Sequence, residues 1–419
     1  MNRQAPAELE SALSSGTAEA RLDALRQLCA STPRTPRLGT NLHVHTNESF
    51  SVFRSPSEAV WQAVQQGVAV FGINDHYTVA GHDEFRSACQ IARIPAAFSM
   101  EAVAMDHDAE ARRELTNDPG NPGRTYLCAK GITRIPPDHS PAMQRLRTMR
   151  AALERRNREM TDRVRTLFRD RVNAEGPAWD DVVALTPRGN TTERHISKAV
   201  LLRLRSLAES SGEPLSGLVT RCCGAKPPKQ DDAALQNFIR SRLLKAGAPC
   251  YVEESPDAFL SLEDMRDLFL AFGSIPTYPV LGNPITDREK DIPALLDRLE
   301  SIRIFALEVI PQRNTRERLA EILNAAKARN WPVFNGTEHN TPEAAPLLAP
   351  LSLDPDFLPW FDGSAALLLG HQRLVAQGRP GFVDDAGRPT IADPQERLGR
   401  FGCAGWQVWK EIEGSLPGV

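Results

Sequence analysis

The chain of 419 residues has no run approaching the roughly 20 apolar residues that a membrane-crossing helix needs. Neither charge sign is in excess: 50 Lys and Arg against 53 Asp and Glu leave a formal net charge of −3. Nucleic acid and anionic membrane surfaces are therefore not expected partners. Cysteine is scarce and unpatterned. The seven residues Cys29, Cys89, Cys128, Cys222, Cys223, Cys250 and Cys403 form an odd set with no C-x-x-C spacing. That argues against a disulfide framework or a zinc knuckle and reads as reduced thiols. The first 28 residues are polar and amphipathic, without the apolar core of a signal peptide, so a soluble cytoplasmic protein is expected. Internal repeats and low-complexity tracts are also missing.

What remains is ordinary globular material, 41% hydrophobic and 25% charged. It suffices for one large domain with an insertion, or for two domains. Seven short β-branched or aromatic runs stand out, each closed by Gly, Asn, Pro or a charged residue: 39–46, 67–76, 95–104, 124–132, 274–284, 304–311 and 331–340. Helical patterns such as 56–66, 291–302 and 315–329 lie between them. Strand followed by helix, repeated, predicts a parallel α/β arrangement, and seven strands predict a small barrel. Residues 139–256 break the rhythm with long charged helices, read as an insertion between the fourth and fifth strands. Past residue 343 the chain is rich in Pro, Leu and Gly, with a helix expected over 360–377.

The chemistry gathers at the strand ends. "NLHVHTNESF" (41–50) places two histidines one residue apart, and on a strand His43 and His45 point to the same side. The remaining ends carry Asp75 and His76, Glu101, Tyr126 and Cys128, Asn283, Glu308, then Glu338, His339 and Asn340. A single histidine near a strand end is ordinarily a hydrogen-bonded structural residue. Five of seven strands ending in imidazole or carboxylate is a stronger pattern, because a parallel α/β barrel gathers its active site at those ends.

The opening stretch, with its H-x-H, its D-H followed by T-V-A-G and the downstream Glu101, resembles the polymerase and histidinol phosphatase (PHP) family. "PVLGNP" and "NGTEHN" are similar to the family's Ala-His-Pro and Gly-Ser-Asp-x-His segments. The similarity covers about 38–138 and 270–342. It implies a distorted (β/α)7 barrel and metal-assisted phosphate ester hydrolysis. The chain then divides into an N-terminal helical extension (1–37), a first barrel part (38–138), a helical insertion or cap (139–256), a second barrel part (257–342) and a C-terminal extension (343–419). "TERHISKAV" is similar to an Arg-x-His-Ile-Ala stretch in the insertion of related phosphoesterases, which implies that Arg194 and His195 grip a substrate phosphate. The departures are Phe50, Tyr126, Asn283, Glu338 and Asn340, each standing where the family carries a different metal-binding residue.

Counting ligands under that resemblance leaves one complete site: His43, His45, Glu101 and Glu338. Such a donor set suits one tight divalent ion, Zn²⁺, Mn²⁺ or Fe²⁺. His76 and His339 are expected as general acid or base, and Asp75 as the group orienting a ligand imidazole. Arg194, His195, Asn283 and Lys130 are expected to bind substrate, and Arg313 is a further anion candidate. The leading expectation is a phosphoesterase acting on a small phosphorylated metabolite. A lyase, isomerase or non-phosphate hydrolase on the same barrel is the alternative, with a non-catalytic binding module third. An oligomer is left open.

Overall fold

Each of the seven β-rich runs forms a strand. In chain order they are β1 (Thr40–Val44), β2 (Val70–His76), β3 (Ala96–Met105), β4 (Arg124–Lys130), a two-residue β5 (Leu260–Ser261) that the sequence pattern does not mark, β6 (Ile275–Val280), β7 (Leu307–Val309) and β8 (Val333–Asn335). The computed structural model describes residues 6–33, 35–282 and 284–414. The sheet runs β1-β2-β3-β4-β6-β7-β8, with β5 beside the end of β3. Its two edges meet. Val44 bridges Glu338 in parallel, the His45 N–H donates to the Glu338 carbonyl at 2.8 Å, and the Glu338 N–H donates to the His43 carbonyl at 2.8 Å. The result is a nearly closed seven-stranded α/β barrel, the expected fold class. Closure depends on Gly336, where a Cβ would lie 2.2 Å from the Cβ of His43.

Local chemistry explains the helices on the barrel wall. Ser55 accepts from the Glu58 N–H with Pro56 in the first turn, and Asp291 caps the next such helix by accepting from Ala294. The first buries Val60, Trp61 and Ala63 in a core with Phe71, Ile73 and Phe85, and the second buries Leu296 and Leu299 in another with Leu319, Ile322 and Leu323.

The expectation of uniformly parallel strands fails at β4, which is antiparallel to both β3 and β6. The reason lies in the β3–β4 connection, which holds only the short helix His107–Arg112. The chain turns back where β3 ends, setting Arg124 opposite Met105, and never crosses to the other end of the barrel. Residues late in β4 therefore sit on the barrel floor.

From that floor the 32-residue helix Pro141–Val172 climbs. At 1.5 Å per residue it is about 48 Å long, more than a barrel strand's length. Its Leu146 and Met149 pack on the barrel, whereas Met160, Val164 and Phe168 belong to a separate core with Ile196, Leu204, Leu218 and Ile239 from the following helices. The loop before helix Glu193–Ser211 lies against the turn after β1: a Cβ on Gly189 would sit 1.7 Å from the Glu48 carbonyl oxygen. At the opposite end, helix Leu358–Ala376 closes the floor. Its Ser364 Oγ accepts from the Val333 N–H and its Gln372 Oε1 from the Phe98 N–H, both at 3.0 Å. No described helix is long and apolar enough to cross a membrane.

Candidate metal centre

β1 delivers His43 and His45 to the barrel axis, both fully buried. Their Nε2 atoms lie 3.1 Å apart, and Glu101 Oε2, from β3, lies 3.6 Å from the first and 3.4 Å from the second. Zinc bonds of about 2.1 Å in tetrahedral geometry put neighbouring ligand atoms about 3.4 Å apart. The three donor atoms thus already form one face of a coordination polyhedron, and the residues fit a divalent ion.

The other ring nitrogens are held. Nδ1 of His43 faces Glu308 Oε2 at 2.9 Å. Nδ1 of His45 faces Ser49 Oγ at 3.2 Å, and Ser49 in turn donates to Asp75 at 2.6 Å. With an ion bound, each imidazole would keep its proton on Nδ1 and aim the Nε2 lone pair at the same point. Burial opposes a charge on His43, but the Glu308 carboxylate beside it raises its pKa to about 9. Burial, with His76 nearby, pushes His45 well below its usual value. Burial would raise Glu101, yet the imidazoles of His76 and His43 hold it well below the carboxylate range.

Above the triangle, between the barrel mouth and the helical insertion, lies a cavity of about 900 Å³. His76 and Glu101 open into it, with His76 Nδ1 3.3 Å from Glu101 Oε2. Tyr126 and Arg313 line the barrel side, and Arg194 the insertion side. Phe50 forms a wall with a backbone φ of 98°, a left-handed conformation that an aromatic residue adopts only where its surroundings enforce it.

No family model matches the chain, and no curated protein matches it. Solved structures do match, two of them as follows. One is a candidate metal-dependent phosphoesterase from Bifidobacterium adolescentis, 21% identical, with TM-score 0.53 over 77% of this chain and 95% of that one. The other is an amidohydrolase from Chromobacterium violaceum with bound sulfate and no metal, 16% identical, with TM-score 0.49 over 75% of this chain and 93% of that one. The first likeness is one of fold. The chemistry must be read from the residues.

Several expected residues stand elsewhere than the sequence placed them. Glu338 is outside the triangle: the Arg313 guanidinium grips both its oxygens, and Asn340 donates to one at 3.2 Å. Burial raises its pKa even so. Lys130, expected at the mouth, is fully buried on the floor because β4 runs antiparallel. Its Nζ lies 2.5 Å from Glu308 Oε1 and 3.0 Å from the Leu42 carbonyl. His195 caps its own helix, with Nδ1 accepting from the Thr192 N–H at 3.0 Å, and does not line the cavity. His339 is spent on Thr337 and the Ala345 carbonyl and stacks on Phe53. Asp75 is buried behind the triangle, accepting from the Thr46 N–H, the Thr46 hydroxyl and Ser49. Asn283 lies outside the described residues.

Three neighbours of the triangle carried no assigned role in the sequence pattern: Ser49, Asn74 and Cys128, the last 3.3 Å from Glu308 Oε2. Strand alternation offered a signal for Asn74, which shares a face of β2 with His76.

Proposed function

We propose that the protein is a metal-dependent phosphoesterase that hydrolyses a small phosphorylated metabolite at the barrel mouth. The observation that carries this reading is a donor triangle facing a wall short of negative charge. Arg156, Arg240 and Lys245 all lean on the single carboxylate of Glu193, at 3.0, 3.2 and 3.2 Å. Arg194 beside them has no carboxylate at ion-pairing distance among the described residues, only Asn237 and the face of Phe50. Burial and the neighbouring Arg240 lower its pKa to about 10. A desolvated guanidinium in that position is stabilised by an incoming anion, and its fork suits phosphate.

His43, His45 and Glu101 are the proposed ligands of one ion, zinc, manganese or iron. When bound, such an ion polarises a phosphoryl oxygen and lowers the pKa of a coordinated water towards about 7. The protein's own groups do the rest. Arg194 from the insertion and Arg313 from the barrel orient the substrate, with Glu338 fixing the Arg313 fork. His76, its Nδ1–H held by Glu101, presents its Nε2 lone pair as a general base that takes a proton from the attacking water, and burial lowers its pKa so that the neutral ring predominates. Ser49 and Asp75 set the ring of His45.

The test joins metal analysis to phosphate release from sugar phosphates, nucleotides and aryl phosphates. About one ion per chain together with release from one of these classes supports the reading. One ion without any release would replace it with a lyase, isomerase or non-phosphate hydrolase reaction on another anion. No ion at all would sink it.

A further inference from the structure

We propose that Asn74 supplies a fourth ligand, its side-chain carbonyl oxygen, to the ion held by His43, His45 and Glu101. This rests on the metal reading above and adds a residue that the donor triangle does not contain.

Asn74 stands on β2 two residues before His76, fully buried against the triangle. Its Nδ2 lies 2.9 Å from His43 Nε2 and 3.5 Å from Cys128 Sγ, while its Oδ1 has no hydrogen-bond partner among the described residues. An orphaned buried carbonyl costs about 1–3 kcal/mol. The arrangement is also wrong for a cation. An ion bound at Nε2 of His43 needs that nitrogen as a lone pair, with the proton on Nδ1 facing Glu308, and an amide NH₂ beside it would turn partial positive charge towards the place where the ion belongs.

A half-turn about Cβ–Cγ exchanges the two amide atoms without moving the backbone. The planar amide has nearly the same shape either way, so the hydrogen-bond network decides its orientation. Once a cation takes the Nε2 lone pair, that network favours oxygen inward. The spacing is close to that of the donors already there: the amide is 2.9 Å from His43 Nε2, against 3.1 Å between the two imidazole Nε2 atoms. Glu338, the acid that the sequence suggested for the fourth place, is already engaged by Arg313.

The exchange has a chemical consequence. Two neutral imidazoles, one carboxylate and one neutral amide leave a divalent ion with one net positive charge. A second carboxylate would have cancelled it. The charged unit attracts an anionic substrate more strongly and is the better electrophile.

The experiment measures ion affinity, not turnover, by chelator competition with Zn²⁺ and Mn²⁺ on the whole chain. Asn74→Leu keeps the size and removes the oxygen; it should bind at least tenfold more weakly. Asn74→Asp keeps an oxygen but cannot donate a hydrogen bond when ionised; it should bind as tightly as the parent or more so. If the leucine variant does not fold, Asn74→Ala reads the same loss. Equal weakening in the aspartate and leucine variants would mean that Asn74 acts as a donor to His43, and would overturn the proposal. So would unchanged affinity in the leucine variant. If the parent protein binds neither ion, the metal reading itself falls.

Discussion

Oε2 of Glu308 lies 2.9 Å from Nδ1 of His43, and the other oxygen of the same carboxylate lies 2.5 Å from Nζ of Lys130. None of the three side chains touches solvent. A lysine on the barrel floor thus neutralises the carboxylate that orients the first histidine. Such buried chains are costly to break, because whichever charge remains is stranded in a low dielectric.

Lys130→Met leaves Glu308 uncompensated and should destabilise the fold by about 3–5 kcal/mol. Glu308→Gln keeps the shape but weakens the hold on His43, and should lower ion affinity about 10–100-fold. Urea unfolding checks the first and chelator competition the second. A methionine variant as stable as the parent would show that the pair contributes nothing.

His45→Ala should remove the ion and any activity together, because one corner of the donor triangle disappears. Glu338→Gln should keep most of the ion, since Arg313 holds that carboxylate outside the triangle. Metal content after dialysis distinguishes them. The ligand assignment is wrong if the alanine variant stays loaded or the glutamine variant empties.

Arg194→Ala should raise KM for a phosphorylated substrate about 10–100-fold, the equivalent of one charge-assisted hydrogen bond of about 1.5–3 kcal/mol. Its melting temperature should hardly move, because the side chain has no ion-pair partner among the described residues to strand. An unchanged KM takes this arginine out of the site.

Acid should loosen the fold through histidines remote from the cavity. His82 donates to the Ser99 carbonyl, and His371 lies between the Gly273 carbonyl and the Phe382 N–H. Burial lowers the pKa of each to about 4, against 6.5 in the unfolded chain. Between those values the unfolded state binds more protons, so the contribution is complete above pH 6.5 and is lost as pH falls towards 4. His371→Gln should flatten that part of the stability curve in denaturant melts at successive pH values. An equally steep curve would locate the acid sensitivity elsewhere.

The sequence by itself determined a good deal. The seven strands, the place of the helical insertion and the position of His43, His45 and Glu101 near strand ends follow from alternation, β-branched runs and turn residues, all of which act over a few residues. Their grouping as one ligand set was what the family resemblance implied. The direction of β4 does not follow from such local signals, because it depends on whether the 106–123 connection crosses the barrel or doubles back. That one choice sends Lys130 to the floor. Partners far apart in sequence were equally out of reach. Glu338 reads as a ligand until Arg313 is seen to hold it, and His195 and His339 read as site residues until their hydrogen bonds are found spent on caps and loops. Asn74 looks like a common amide until closure of the barrel sets it 2.9 Å from His43. Local pattern decides which side chains face the axis; only tertiary packing decides which of them remain free to bind something else, because a buried polar group takes whatever partner the fold brings within reach.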